Sequence, residues 1–145
     1  MSIPLHDPAW LERMYNNRAL VPDYMDYLQR WAQDSAQVRA NCPCALDLVY
    51  GPEAGETLDV FPATRPGAAL APVLVFIHGG YWRSLDKSDH SFVAPPFTVS
   101  GYCVVVVNYA LCPGTPEHPV TVSHIGRQME AALAWVWRHI GQHGG

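Results

Sequence analysis

Val73-Leu74-Val75-Phe76-Ile77-His78-Gly79-Gly80-Tyr81-Trp82 decides the fold, because an unbroken apolar run ends there in a glycine pair. A run apolar on both faces fits a strand buried in a parallel sheet, whereas a strand with one wet face alternates. Downstream, Tyr102-Cys103-Val104-Val105-Val106-Val107 is a second run of the same kind. Residues 86–99, between them, read as a short helix broken by Pro95-Pro96. Strand, helix and strand in this order imply a right-handed crossover and an open, mostly parallel α/β sheet. Residues 108–119 read as a proline-rich loop and residues 120–142 as the strongest helix of the chain. In that helix Val122, Ile125, Met129, Leu133, Val136 and Ile140 form a stripe at helical steps, and Gly144-Gly145 ends it.

Upstream, residues 45–50 alternate around Leu46, Leu48 and Tyr50, and residues 57–61 alternate after the turn Gly51-Pro52-Glu53-Ala54-Gly55-Glu56. Together they predict an antiparallel hairpin. A Pro/Gly/Ala connector, residues 62–72, leads from it to the first apolar run. Nearer the N-terminus, Asp7-Pro8 is a helix start, a capping carboxylate followed by proline, with Trp10, Leu11, Met14 and Tyr15 at helical spacing. A second helix begins around Val21-Pro22-Asp23, puts Tyr24, Tyr27, Leu28, Trp31 and Ser35 on one face, and breaks at residues 41–43. The chain thus divides into a helical segment, residues 1–44, and an α/β unit, residues 45–145.

The composition narrows the function classes. Of 145 residues, 49% are apolar and 15% charged, with a formal net charge of -4. That suits one ordinary domain and excludes disorder. No basic block exists, which argues against nucleic acid as a partner. No apolar stretch approaches the roughly 20 residues that span a bilayer. The N-terminus lacks a basic segment followed by an apolar core, so a soluble, cytoplasmic protein is expected. Cys42, Cys44, Cys103 and Cys112 lack the paired spacing of a zinc site and read as reduced thiols. A charged fraction of 15% is low against the usual roughly 25%. It implies either a large partner interface, a second copy included, or a covering part of the chain that is absent.

The chemistry concentrates at residues 76–82, the C-terminal end of a parallel strand, where open α/β sheets place ligands. Glycines there leave backbone N–H groups uncovered for an anion or a developing oxyanion. A bare Gly-Gly is ordinarily just a tight turn; the surrounding His78, Tyr81 and Trp82 after a buried strand favour an oxyanion loop. Weaker candidates read as structure. His139 and His143 share a helix face but have no further ligand at hand, so neither a metal nor any other cofactor is expected. Asp86, Asp89 and His90 suggest an acid/base pair, yet Asp86 fits a helix cap better. Tyr24, Tyr27 and Trp31 form a stripe more typical of packing than of binding. The glycine loop has neither the Gly-x-Gly-x-x-Gly pattern nor the Lys-Ser/Thr of a phosphate loop.

At this point the chain resembles the N-terminal half of an α/β-hydrolase of the His-Gly-Gly esterase and lipase group. More narrowly, His78-Gly79-Gly80-Tyr81-Trp82 resembles the His-Gly-Gly-x-Trp signature of kynurenine formamidases (arylformamidases). Asp86-Lys87, Ser91-Phe92, Asn108-Tyr109-x-Leu111-x-Pro113 and Ala131-Ala132-x-Ala134-Trp135 agree with that family, as do Tyr15-Asn16-x-Arg18 and Val21-Pro22-Asp23. The resemblance implies that the N–H groups of Gly79, Gly80 and Tyr81 hold the oxyanion, that Trp82 and Tyr81 line the substrate pocket, and that His78 braces the loop. It implies hydrolysis of an N-formyl aryl amide, N-formyl-L-kynurenine, as in tryptophan catabolism. A carboxylesterase acting on aryl or short acyl esters is the alternative, and a non-catalytic α/β module the third.

An α/β-hydrolase needs a nucleophile on a Gly-x-Ser-x-Gly elbow, then an acid, then a histidine. None of Ser2, Ser35, Ser84, Ser88, Ser91, Ser100 and Ser123 has glycines at both required positions. The resemblance therefore implies a nucleophile shortly beyond residue 145 and an incomplete fold. The expected strand order, 1-2-4-3-5, would leave residues 73–77 with one open apolar edge here.

Overall fold

In the computed structural model, which describes residues 7–64 and 70–145, one open sheet is sandwiched between helices. Its strands β1 (Ala45–Val49), β2 (Thr57–Phe61), β3 (Val73–Ile77) and β4 (Cys103–Val107) lie in the order β1-β2-β4-β3. That is the expected order as far as the described strands go. β3 and β4 pair in parallel through five residues, Val73 against Cys103 to Ile77 against Val107. β1 with β2 and β2 with β4 are antiparallel, so the sheet is mixed, with a single parallel junction among its described strands. The 62–72 connector lies partly outside the described residues.

β4 is the centre. All five of its residues are fully buried, because each face of the sheet carries a helical layer. On one face Leu58, Val60, Cys103, Val105 and Val107 meet Ala132, Val136 and Ile140 of α5 (Val122–His139) and the 3-10 turn after it. On the other, Phe61, Val104 and Val106 meet Ala94 of α4 (Ala94–Thr98) and Val38 of α3 (Tyr24–Asn41). At roughly 1.5–3 kcal/mol per buried side chain, this double burial outweighs any single polar contact in the fold. β3, flanked by β4 alone among the described strands, is half-buried, and its Ile77 is exposed.

Near the N-terminus, α1 (Pro8–Tyr15) is capped as expected, Asp7 accepting from the Ala9 N–H. A short α2 (Asn17–Leu20), unforeseen in the sequence, starts where the Asn16 side chain accepts from the Ala19 N–H. α3 is fastened to the 3-10 segment at residues 87–93 by Ser35, whose hydroxyl accepts from the Phe92 N–H, and by Arg39, which reaches Ser88 and Ser91. Among the described residues no helix is long and apolar enough to cross a membrane.

Three local expectations are corrected. Pro95 and Pro96 do not break a helix; they lie in the first turn of α4, where proline needs no N–H partner, after 3-10 turns at Lys87–Asp89 and Ser91–Val93. Leu46 does not share a face with Leu48, because a bulge between Ala45 and Leu48, with Asp47 at φ 55°, inserts a residue and turns Leu46 outward. On α5 the buried stripe is Ile125, Gln128, Ala132 and Val136, whereas Val122, Leu133 and Trp137 are exposed. Gln128 earns its inward place by hydrogen bonding: it accepts from the Ala110 N–H at 3.0 Å and donates to Glu53 at 3.0 Å.

Candidate active site

The chain leaves β3 at Ile77 and turns sharply through residues 78–82. Gly80 has φ 115°, and a Cβ there would overlap the Ser84 carbonyl, so this position demands glycine. Gly79 has no such demand, since a Cβ on it would meet nothing within 4 Å. Tyr81 (φ 55°), Trp82 (φ 58°) and Leu85 (φ 73°) are also left-handed. Such residues cost of order 1 kcal/mol or more each and persist only where the surroundings hold them. Here the Arg83 N–H donates to the Gly80 carbonyl at 3.0 Å and the Cys112 N–H to the Trp82 carbonyl at 2.7 Å. The Tyr109 hydroxyl donates to the His78 carbonyl at 2.7 Å.

What these bonds leave over is the chemical content of the loop. Among the described residues, the N–H groups of Gly79, Gly80 and Tyr81 donate to no protein acceptor. The same residues line an open recess of about 360 Å³ together with His78, Trp82 and Tyr109. A strained turn that presents several uncommitted donors to one recess can bind an anion or a developing negative charge.

His78 does not face the recess as a free base. It is buried, stacked on Tyr109 at 4.3 Å and on His90 at 5.5 Å. Its Nδ1 lies 2.8 Å from the Gly79 carbonyl and its Nε2 3.2 Å from Asn108 Oδ1. The Asn108 amide is oriented by two further bonds: Oδ1 accepts from the Lys87 N–H and Nδ2 donates to Asp86. Burial lowers the His78 pKa below its ordinary value, with the Gly79 carbonyl opposing. A histidine depressed in the fold stabilises above its unfolded pKa of about 6.5, and that contribution is lost as pH falls through the folded pKa. Urea midpoints measured between pH 7.5 and 5.5 are therefore expected to fall with acidification, and less steeply in His78→Gln. Equal slopes would remove His78 from the account.

Asp86 caps the 3-10 turn at Lys87–Asp89, accepting from the Ser88 N–H at 2.8 Å, while Asp89 accepts from the Asp86 N–H. Burial alone would raise its carboxyl pKa, but hydrogen bonds from Ser88 and Asn108 outweigh it and hold the carboxyl below the usual range. Lys87 is buried with its ammonium 2.6 Å from Asp59 and 2.7 Å from Asp47. Burial pushes the lysine pKa down, and the hydrogen bonds to Asp47 and Asp59 more than reverse that. Asp59–Lys87–Asn108–His78 thus runs as one polar chain from the middle of β2 to the glycine loop. The sequence reading did not find it. A charged residue inside the otherwise apolar Thr57-Leu58-Asp59-Val60-Phe61 was the signal available.

The aromatics divide. Trp82 lines the small recess, Tyr81 lines it too, and both are exposed. Tyr81 also lines a larger open cavity of about 980 Å³, walled opposite by Tyr15, Tyr24, Tyr27 and Trp31. The helical stripe therefore does two jobs: Trp31 stacks on Phe92 at 5.7 Å and, with Tyr24 and Tyr27, faces this cavity. His139 and His143 lie against Trp135, 5.1 and 6.2 Å away. Burial pushes the Cys103 thiol up to about 11, far from a thiolate nucleophile at neutral pH.

No family model matches the sequence. The kynurenine formamidase of Salmo salar is 31% identical over 101 residues, 70% of this chain and 34% of that protein. A candidate thioesterase from a Silicibacter species superposes with a TM-score of 0.76 at 32% identity, over 88% of this chain and 47% of that one. Esterase B of Lactobacillus rhamnosis, at 23% identity and a TM-score of 0.62, covers 83% of this chain and 41% of its own; it bears on the fold alone. The chain spans about a third of the length of the curated relatives it matches. Sequence and fold agree that the chain is kynurenine formamidase-like, with an incomplete fold of the α/β-hydrolase type.

Proposed function

We propose that this chain supplies the oxyanion-binding loop of a serine hydrolase that cleaves an N-formyl aryl amide, N-formyl-L-kynurenine giving kynurenine and formate. The observation that carries this is the set of N–H groups on Gly79, Gly80 and Tyr81 that donate to no protein acceptor among the described residues, on a strained loop whose residues line one recess. In this reading those donors stabilise the negative oxygen of the tetrahedral intermediate. Trp82 and Tyr81 flank the aromatic ring, and His78 braces the loop instead of acting as the base. No Gly-x-Ser-x-Gly occurs in the 145 residues, so the nucleophile and its histidine have to come from outside this stretch.

The second reading is a carboxylesterase on aryl or short acyl esters, favoured by the 32% identity to the candidate thioesterase. Oxyanion chemistry is the same for both. Hydrolysis of N-formylkynurenine and of p-nitrophenyl acetate by the whole protein separates them: the first reading expects the higher kcat/KM on the formamide, and a strong preference for the ester overturns it. The 145-residue chain by itself is expected to show no turnover above background. Absence of any hydrolysis by the whole protein would leave a non-catalytic module as the better description.

A further inference from the structure

We propose that Arg18, which shares the lining of the larger cavity with Arg83, is a specificity-determining residue that reads the carboxylate of the aromatic substrate. The inference rests on the hydrolase reading for the reaction, but its geometry is independent of the oxyanion donors. Both arginines line the 980 Å³ cavity, whose walls are otherwise dominated by Tyr24, Tyr27, Trp31 and Tyr81. Among the described residues, neither lies within ion-pair distance of a carboxylate.

Arg18 is aimed. One of its nitrogens donates to the Ser84 hydroxyl at 3.0 Å, and that hydroxyl donates to the Gly80 carbonyl at 3.1 Å. Its guanidinium also sits 5.8 Å from the centre of the Tyr24 ring. The side chain is thus tied both to the loop and to an aromatic wall, with most of its donors unspent. A planar guanidinium so held pairs with a carboxylate through two parallel hydrogen bonds, which a lysine cannot reproduce. Glu12, the one carboxylate lining the cavity among the described residues, accepts from Asn16 Nδ2 at 2.6 Å and lies beyond ion-pair distance of both arginines. The aromatic walls would stack the ring of a ligand, and the arginine end would select the charged member of a pair of otherwise equal ligands.

The test uses the whole protein, its Arg18→Met and Arg18→Lys variants, and two paired probes. The kinetic pair is N-formylkynurenine and its carboxamide. The binding pair is indole-3-acetate and indole-3-acetamide, neither of which carries a formyl group to lose, titrated calorimetrically. Wild type is expected to prefer the acid of each pair by at least about tenfold, the worth of one charge-assisted hydrogen bond. In Arg18→Met the ratio collapses towards one, and Arg18→Lys recovers only part of it. A purely structural role for Arg18 would lower both members of a pair together and leave the ratio where it was; that outcome overturns the proposal, as does a wild-type protein with no preference for the acids. Acid-selective binding without any hydrolysis would sink the hydrolase reading and leave the anion site standing. Hydrolysis with no acid preference would do the reverse.

Discussion

Lys87→Met is expected to lower the unfolding free energy by about 3–5 kcal/mol, the usual cost of stripping one partner from a buried ion pair. Asp59 is fully buried, and one of its oxygens already has no hydrogen-bond partner. Without the ammonium its other oxygen keeps only the Asp47 N–H, at 2.9 Å. The loss is a large part of the roughly 5–15 kcal/mol that holds an ordinary domain together. Urea denaturation of the whole protein measures it. Combining Lys87→Met with Asp59→Leu should restore much of the stability, because two well-packed apolar groups replace a buried pair at little net cost. A single variant within 1 kcal/mol of wild type would mean that water reaches Asp59. The pH dependence has a definite sign: with the lysine pKa raised in the fold, its contribution is present below about 10.4 and fades as pH rises through the folded value.

Gly80→Ala is expected to be the more damaging of the two glycine substitutions in the loop. The backbone there sits at φ 115°, and the new methyl would overlap the Ser84 carbonyl, so the turn has to open. Opening it moves the neighbouring donors off their target, and losing one such donor alone typically costs 10²–10³ in kcat, roughly 3–4 kcal/mol. Under the proposed reading, kcat of the whole protein should therefore fall by about 100-fold or more. Gly79→Ala is the internal comparison, since its methyl meets open space and should leave the unfolding midpoint where it is. Equal kcat in Gly80→Ala and wild type would exclude this turn from the oxyanion site.

What could be read from the chain was what repeats along it. The all-apolar runs at residues 73–77 and 103–107 announce parallel neighbours, although only the second is fully buried, and the order β1-β2-β4-β3 is the one the family resemblance implied. The glycine loop was legible because its residue types and its place after a strand are local facts. Bonds between distant residues were not. Lys87 meets Asp47 and Asp59 across 40 and 28 positions of sequence, and no spacing rule joins them. Asp47 takes a positive φ without being glycine, so its bulge left no mark in the sequence. On α5 the apolar stripe was drawn through Leu133 when the buried face runs through Gln128, a polar residue admitted by its partners Ala110 and Glu53. Hydropathy alone ranks those two positions the wrong way round.

The central place of β4 has a kinetic corollary for the loop on β3. A strand bonded on both flanks opens only when the sheet does, so the amide protons of Cys103–Val107 should be the slowest in the molecule to exchange with deuterium. β3, bonded on one flank, should exchange its outward amides early. The glycine loop leaves from β3, yet several of its fastenings come from Asn108, Tyr109 and Cys112, in the segment that follows β4. The amides of Gly79, Gly80 and Tyr81, which have no acceptor among the described residues, should exchange at once, whereas the Cys112 amide, bonded to the Trp82 carbonyl, should report how often the turn lets go of the strand beside it.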